Sequence, residues 1–296
     1  MTSTPTRGPT PGPTSWPDWL HVRHGSVPLL LSMPHAGTDL RGLEARLQSV
    51  WLARKDADWY VPELYDFASE LDATIVRTDI SRTVIDVNRD PSGQSLYPGQ
   101  NTTELCPTST FDGEPLYRPG KEPAAAEIAD RRSQYFDPYH ATLHREAERL
   151  LKQHPRVVVY DCHSIRSAVP RLFDDVLPQF NIGTNSGKSC APALAQGVHR
   201  VCEASGSGVV LNGRFKGGYI TRNLGAPDAR IHAIQMELAM RGYLREQPGK
   251  VSETDWPPPY EPTHAEALRN VLRAILKHCI AFALSQDPLQ EPSCPA

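Results

Sequence analysis

Two histidines stand where an α/β protein would do chemistry. His35 closes the apolar run Pro28-Leu29-Leu30-Leu31-Ser32-Met33-Pro34, and His163 follows Val157-Val158-Val159-Tyr160-Asp161-Cys162. Short apolar runs bounded by turn residues read as strands buried on both faces of a parallel sheet. The ligand crevice of such a sheet lies at the carboxyl ends of its strands. Two imidazoles delivered there suit a divalent metal such as zinc, which takes three protein ligands in catalytic sites and keeps one position open. A carboxylate would complete the set. Asp56 and Asp58 are the nearest in sequence to the His35 loop, and both also read as caps of the helix that follows.

A second group is cationic. Asp86-Val87-Asn88-Arg89 ends its predicted strand with an amide beside a guanidinium, and a guanidinium captures a carboxylate through two parallel hydrogen bonds. Arg82, Arg166 and Arg214 fall near other predicted strand ends or loops. Arginines gathered beside a metal would select an anionic substrate, although any one of them fits a surface ion pair equally well. Glu237 lies among apolar neighbours in Gln235-Met236-Glu237-Leu238-Ala239-Met240. Burial there would raise its pKa toward that of a general base. Two glycine-rich stretches do not bind nucleotides by pattern. Gly183-Thr184-Asn185-Ser186-Gly187-Lys188-Ser189 has three residues between its glycines where a phosphate loop needs four. Asn212-Gly213-Arg214-Phe215-Lys216-Gly217-Gly218 has no GxGxxG and reads as a flexible loop over an anionic ligand, or as a hairpin turn.

The elements that must position these residues alternate strand and helix, which predicts an α/β domain with a mostly parallel mixed sheet flanked by helices. Strands are expected at Pro28–Leu31, Thr74–Thr78 with its continuation through Ile80–Arg89, Val157–Val159, Gly208–Leu211 and Arg230–Glu237. Helices are expected over Leu43–Val50, over a stretch through Leu64, Phe67 and Leu71, over Ala124–Gln153 with a break near Pro138, and over Ala191–Ala204 and Ala265–Leu284. Asp90–Gly120 is rich in Pro, Gly, Thr and Ser, and so long an irregular segment reads as a functional loop or lid. The Pro/Thr/Gly-rich lead-in, 1–19, and the tail, 287–296, read as disordered, leaving 20–286 as one catalytic domain.

At 296 residues and 22% charged, the chain is ordinary globular material. Its formal net charge of -3 argues against nucleic acid, which needs a basic face. No apolar run approaches the roughly 18 residues of a membrane span, and the N-terminus lacks the apolar core of a signal peptide. Six cysteines without CxxC spacing indicate neither a zinc ribbon nor a disulfide framework. The expectation is a cytoplasmic protein, a monomer or small homo-oligomer, acting on a small anionic molecule.

With these residues laid out, the chain resembles the N-formylglutamate amidohydrolase family. The stretches that carry the resemblance run in unbroken order from about Val27 to Tyr243. They include Ser32-Met33-Pro34-His35-Ala36-Gly37-Thr38, Asp56-Ala57-Asp58-Trp59-Tyr60, Ser81-Arg82-Thr83-Val84-Ile85-Asp86-Val87-Asn88-Arg89, Phe111-Asp112-Gly113-Glu114-Pro115-Leu116-Tyr117-Arg118, Asp161-Cys162-His163-Ser164-Ile165-Arg166 and His232-Ala233-Ile234-Gln235-Met236-Glu237. The resemblance extends distantly to zinc carboxypeptidases and their phosphorylase/hydrolase-like fold. It implies a zinc-dependent hydrolysis of N-formyl-L-glutamate to formate and L-glutamate, in histidine degradation. By the same resemblance His35 and His163 are zinc ligands, Asn88 and Arg89 hold one carboxylate of the substrate, and Glu237 is the base. Arg214 or Arg166 is expected to take the other carboxylate, with Arg82 also expected at the substrate. One departure stands out: Thr38 occupies the place of the carboxypeptidase glutamate ligand. The third ligand is therefore assigned elsewhere, to Asp58 over Asp56. Rival expectations are a deacylase or carboxypeptidase acting on other acidic N-acyl compounds, and a carboxylate-binding protein without catalysis.

Overall fold

A computed structural model describes residues 16–94, 99, 102–247 and 249–285. Its centre is one mixed sheet of seven strands: β1 (Leu20–Arg23), β2 (Leu29–Met33), β3 (Thr74–Thr78), β4 (Val157–Ile165), β5 (Phe180–Gly183), β6 (Val209–Leu211) and β7 (Ile231–Ala239). They lie in the order β1-β3-β2-β4-β7-β5-β6. The inner four, β3-β2-β4-β7, are parallel, while β1 pairs antiparallel with β3 and β5 antiparallel with β7. The helices are α1 (Val50–Arg54), α2 (Val61–Leu64), α3 (Ala125–Arg131), α4 (Asp137–Leu151), α5 (Pro192–Ala204), α6 (Tyr219–Leu224) and α7 (Pro262–Leu284).

Side chains alternate across a strand, so each inner strand feeds two cores. Leu29, Leu31, Val158, Tyr160, Ile234 and Met236 face one layer, where Leu194 and Val198 of α5 and Leu272, Ile275 and Leu276 of α7 cover them. Leu30, Val76, Val159 and Ala233 face the other, against Tyr139, Leu143 and Ala147 of α4 and Ile220 of α6. The predicted α/β class and flanked, mostly parallel sheet are what the chain forms.

Several expected boundaries shift for local reasons. The helix expected over Leu43–Val50 is a single 3₁₀ turn, Glu44–Arg46; α1 begins after it, where Ser49 Oγ accepts from the Trp51 and Leu52 amides. Residues 81–89 are not a continuation of β3 but a run of buried turns. Asp86 Oδ1 takes the Asn88 amide at 2.9 Å, a local bond that competes with strand pairing. The expected long helix from Ala124 divides into α3, a π-helical turn over Arg132–Phe136 and α4, with Pro138 in the first turn of α4, where its missing N–H is tolerated. β1, β5 and α6 were not expected. Trp16 and Trp19 of the predicted lead-in are placed: Trp19 is buried against Tyr135, and the Arg145 guanidinium lies 4.1 Å over Trp16. Residues 1–15 and the tail expected from 287 lie outside the described residues. No described helix is long and apolar enough to cross a membrane. The five described cysteines are free and buried.

Candidate metal centre and active site

The parallel register builds the site row by row. β2, β4 and β7 align Ser32 with Asp161 and Asp161 with Gln235, and two residues on they align His163 with Glu237. All these side chains stand on the face that carries α4 and α6, at the carboxyl ends of the strands. His35 arrives two residues beyond β2. The Asp58 amide donates to the His35 carbonyl at 2.9 Å, which ties the segment before α2 to the end of β2.

His35, Asp58 and His163 converge, each buried, with their donor atoms all within 4.8 Å of one another. Asp58 Oδ2 lies 3.1 Å from His163 Nδ1 and 3.8 Å from His35 Nδ1. Ligands about 2.0–2.1 Å from a tetrahedral ion stand about 3.3 Å apart, so the observed separations bracket that spacing. The far nitrogens face two further carboxylates: His35 Nε2 is 2.6 Å from Asp86 Oδ1, and His163 Nε2 is 3.0 Å from Asp161 Oδ2. A carboxylate on Nε2 fixes the tautomer that presents the Nδ1 lone pair to the centre. Nδ1 toward the shared aspartate and Nε2 toward its own carboxylate is the donor chemistry of a divalent cation site, and the residues fit one.

The electrostatics of the two imidazoles differ. Burial drives His35 below the usual imidazole range, helped by the positive charge of Arg82, so it stays neutral. Burial would push Asp86 up, but His35, Arg82 and Arg89 hold it well below the usual carboxylate range. His163 behaves oppositely. Burial lowers its pKa, yet Asp161 and Asp58 outweigh it and carry the imidazole well above its ordinary value. Two buried carboxylates flanking one ring demand a positive charge between them. Glu237 is raised to about 8 by burial, against the pull of His163. Gln235 Nε2 donates to its Oε2 at 3.2 Å, and Gln235 Oε1 accepts the Gly218 amide at 2.7 Å.

These groups open into one cavity of about 610 Å³, counting its mouth, that His35, His163 and Glu237 share with Arg82, Asn88, Arg89 and Arg214. Arg89 reaches Thr103 Oγ1 at 3.2 Å and lies 3.4 Å from Asp86 Oδ2; Arg214 donates Nε to the Leu172 carbonyl at 2.9 Å. The other expected carboxylate binders are placed differently. Asn88 is spent inside the protein: Oδ1 accepts the Ile220 amide at 2.8 Å, and Nδ2 lies 2.9 Å from His163 Nε2 and 3.3 Å from Asp161 Oδ2. Gly218 is required beside it, because a Cβ there would stand 2.4 Å from Asn88 Nδ2. Arg82 grips Asp86 Oδ2 at 2.8 Å and lies 3.7 Å from Asp58 Oδ1. Arg166 is outside the cavity lining and pairs with Asp112 at 2.7 Å and Asp56 at 3.4 Å. Its charge is matched by these two carboxylates.

Asp56 and Asp58 are separated by their partners. Asp56 Oδ2 accepts the Phe111 amide at 2.6 Å, away from the imidazoles. Asp58 caps nothing: the residue before α2 is Tyr60, in the left-handed region at φ 59°, and the Asp58 carboxylate turns instead to His163 and the Ser164 amide. Sequence reasoning missed Asp86, Asp161 and Gln235 as site residues. Asp161 and Gln235 carried a signal: each lies two residues before a candidate on a strand and so shares its face. Asp86 carried none.

An α/β sheet that gathers a His–Asp–His donor set, a buried glutamate of raised pKa and arginines around one cavity at its strand ends is arranged as hydrolytic enzymes are. The chain belongs to the N-formylglutamate amidohydrolase family, whose model matches residues 27–244. An N-formylglutamate deformylase of Pseudomonas aeruginosa is 45% identical over 265 residues, 89% of this chain and 96% of the relative. That of Pseudomonas putida is 44% identical over 269 residues, with the same coverage. The fold matches the crystal structure of an N-formylglutamate amidohydrolase from Ralstonia eutropha (TM-score 0.69, 22% identity, 88% of this chain and 98% of that one). It also matches a gene product of Agrobacterium tumefaciens (TM-score 0.66, 18% identity, 89% and 95%).

Proposed function

We propose that this protein hydrolyses N-formyl-L-glutamate to formate and L-glutamate, with a divalent cation, zinc by its donor set, held by Nδ1 of His35, Nδ1 of His163 and the carboxylate of Asp58. The observation that carries the reading is the pair of imidazoles, each presenting Nδ1 to Asp58 and resting Nε2 on its own carboxylate. The names of the curated relatives support the substrate. When bound, the cation supplies Lewis acidity toward the scissile carbonyl and the attacking water.

The chain's own residues do the rest. Glu237 takes a proton from the water and delivers it to the departing amine, and a carboxyl raised toward neutrality can do both. Gln235 fixes the Glu237 carboxyl and is itself held by the Gly218 amide. Arg89 and Arg214 bind the two carboxylates of the substrate and hold its amide at the donor set, and such positioning removes several kcal/mol of barrier. Asp86 and Asp161 orient the imidazoles, Arg82 keeps Asp86 ionised, and Asn88 braces the His163–Asp161 pair. The reaction belongs to histidine degradation in the cytoplasm.

The test is formate release from N-formyl-L-glutamate by protein stripped with chelator and then reloaded with zinc. Release that disappears on stripping and returns on reloading is expected. A metal-replete sample that releases none would sink the substrate assignment.

A further inference from the structure

A charged network outside the donor set ties one wall of the cavity to the segments that carry the ligands. The wall is Phe111, buried in an apolar cluster with Ile165 and Val169 and facing the cavity beside Arg82, whose guanidinium lies 4.6 Å over the ring. Its loop, 109–116, is a tight turn. The Thr110 amide donates to the Glu114 carbonyl at 2.9 Å, and Gly113 sits at φ +88°, where a side chain would be strained.

Three cations meet three carboxylates around this turn. Lys55, fully buried, bridges Asp112 at 2.5 Å and Glu114; Arg166 joins Asp112 and Asp56; Lys250 reaches Glu114 at 3.2 Å. Asp56 also takes the Phe111 amide. Lys55 and Asp56 come just before Asp58 in the chain, and Arg166 three residues after His163. A buried ion pair fixes geometry more than it stabilises, and breaking it leaves an unpaired charge.

On the proposed function above, we infer that Phe111 is a specificity residue for the acyl group, and that Lys55, Asp56, Asp112 and Arg166 are positioning residues that hold its ring against Arg82. Arg82 lies 3.7 Å from Asp58, so the ring closes the cavity on the side of the donor set. Phe111 and Ile165 belong to an apolar cluster that continues through Leu172 and Phe215 along the cavity, and of these Phe111 is the one in contact with Arg82. Carboxylates are repelled by such a surface and belong with Arg89 and Arg214, which leaves the acyl end of the substrate beside the ring. On this placement the ring meets the acyl carbon, so the site should favour a formyl hydrogen over a methyl group.

The experiment compares the unsubstituted protein with Phe111→Ala and Asp112→Asn, all zinc-loaded, on N-formyl- and N-acetyl-L-glutamate. Amide hydrogen exchange over residues 109–116 is measured in parallel. Phe111→Ala should raise the acetyl-to-formyl ratio of kcat/KM roughly tenfold or more, the scale on which an apolar pocket senses one carbon. Asp112→Asn should raise the same ratio and speed exchange in 109–116, with β2, β4 and β7 unchanged. A ratio unmoved by Phe111→Ala overturns the specificity role, and exchange unmoved by Asp112→Asn overturns the positioning role. Phe111→Ala leaves every ion pair in place, so the first arm decides even if Asp112→Asn does not fold. If the unsubstituted protein acts on neither compound, the functional reading fails and the acyl selectivity with it. Exchange still reports separately whether the network holds the loop.

Discussion

The floor and the rim of the cavity are built by different means. On the floor, His35, Asp58, Asp86, Asp161, His163 and Glu237 are buried, and most stand on or just beyond the parallel strands β2, β4 and β7. Each imidazole has a second carboxylate behind it. At the rim, Arg89 and Arg214 come from irregular segments, and the Arg89 side chain keeps 20% of its surface in solvent. Rigid strands and low dielectric place and tune the floor. The rim holds charge where water can still screen it. Substitutions on the floor should therefore cost far more than substitutions at the rim, and they should act on different kinetic constants.

Glu237 should show the largest effect. Glu237→Gln keeps the shape and the bond from Gln235 but removes the base, so kcat should fall by roughly 10²–10⁴-fold while KM changes little. The pH profile adds a second readout. A base must be deprotonated, so the rate rises with pH through its pKa. Burial sets that pKa at about 8, and a cation nearby favours the charged carboxylate. The acid limb of kcat/KM should then lie below about 8 in loaded protein and vanish in Glu237→Gln. A limb unchanged in that variant would assign it to another group.

Next come the carboxylates behind the imidazoles. Asp161→Asn and Asp86→Asn should each weaken cation binding by roughly 10–100-fold, since they loosen the tautomer and orientation of a ligand rather than remove it. Zinc affinity measured by chelator competition checks this directly. Equal affinity in both variants and the unsubstituted chain would mean that the strands alone fix the rings.

This division between floor and rim also explains what the sequence could disclose. Buried strands that end in His35 and His163 are a local pattern, so fold class and two ligand candidates were legible. The choice between Asp56 and Asp58 was not, because two residues in one short segment are separated only by what folds over them, Phe111 on one side and His163 on the other. β5 escaped notice because Asn181 and Gly183 interrupt its apolar character, although the Asn181 Nδ2 donates to the Pro178 carbonyl at 2.8 Å. Asp86 lies in a turn whose position depends on His35 and Arg82, both distant or out of register by pattern. The arginines are ambiguous in a different way. Arg166 carries the right chemistry for a substrate carboxylate, but Asp56 and Asp112 reach it first, and only tertiary structure reveals such competition.

The rim yields the smallest effect and settles a pairing that geometry leaves symmetric. Arg89→Lys and Arg214→Lys each keep a charge but lose the planar fork, so each should raise KM for N-formyl-L-glutamate by roughly 3- to 10-fold with kcat nearly unchanged. N-formyl-L-norvaline carries the α-carboxylate but no side-chain carboxylate. The arginine that serves the missing group should lose its effect on that compound, while the other should retain it. If both lysine variants keep their full effect there, the two arginines share the α-carboxylate, and recognition of the side-chain carboxylate passes to another group. If kcat falls instead of KM rising, the rim orients the reacting amide as tightly as the floor does, and the distinction between the two fails.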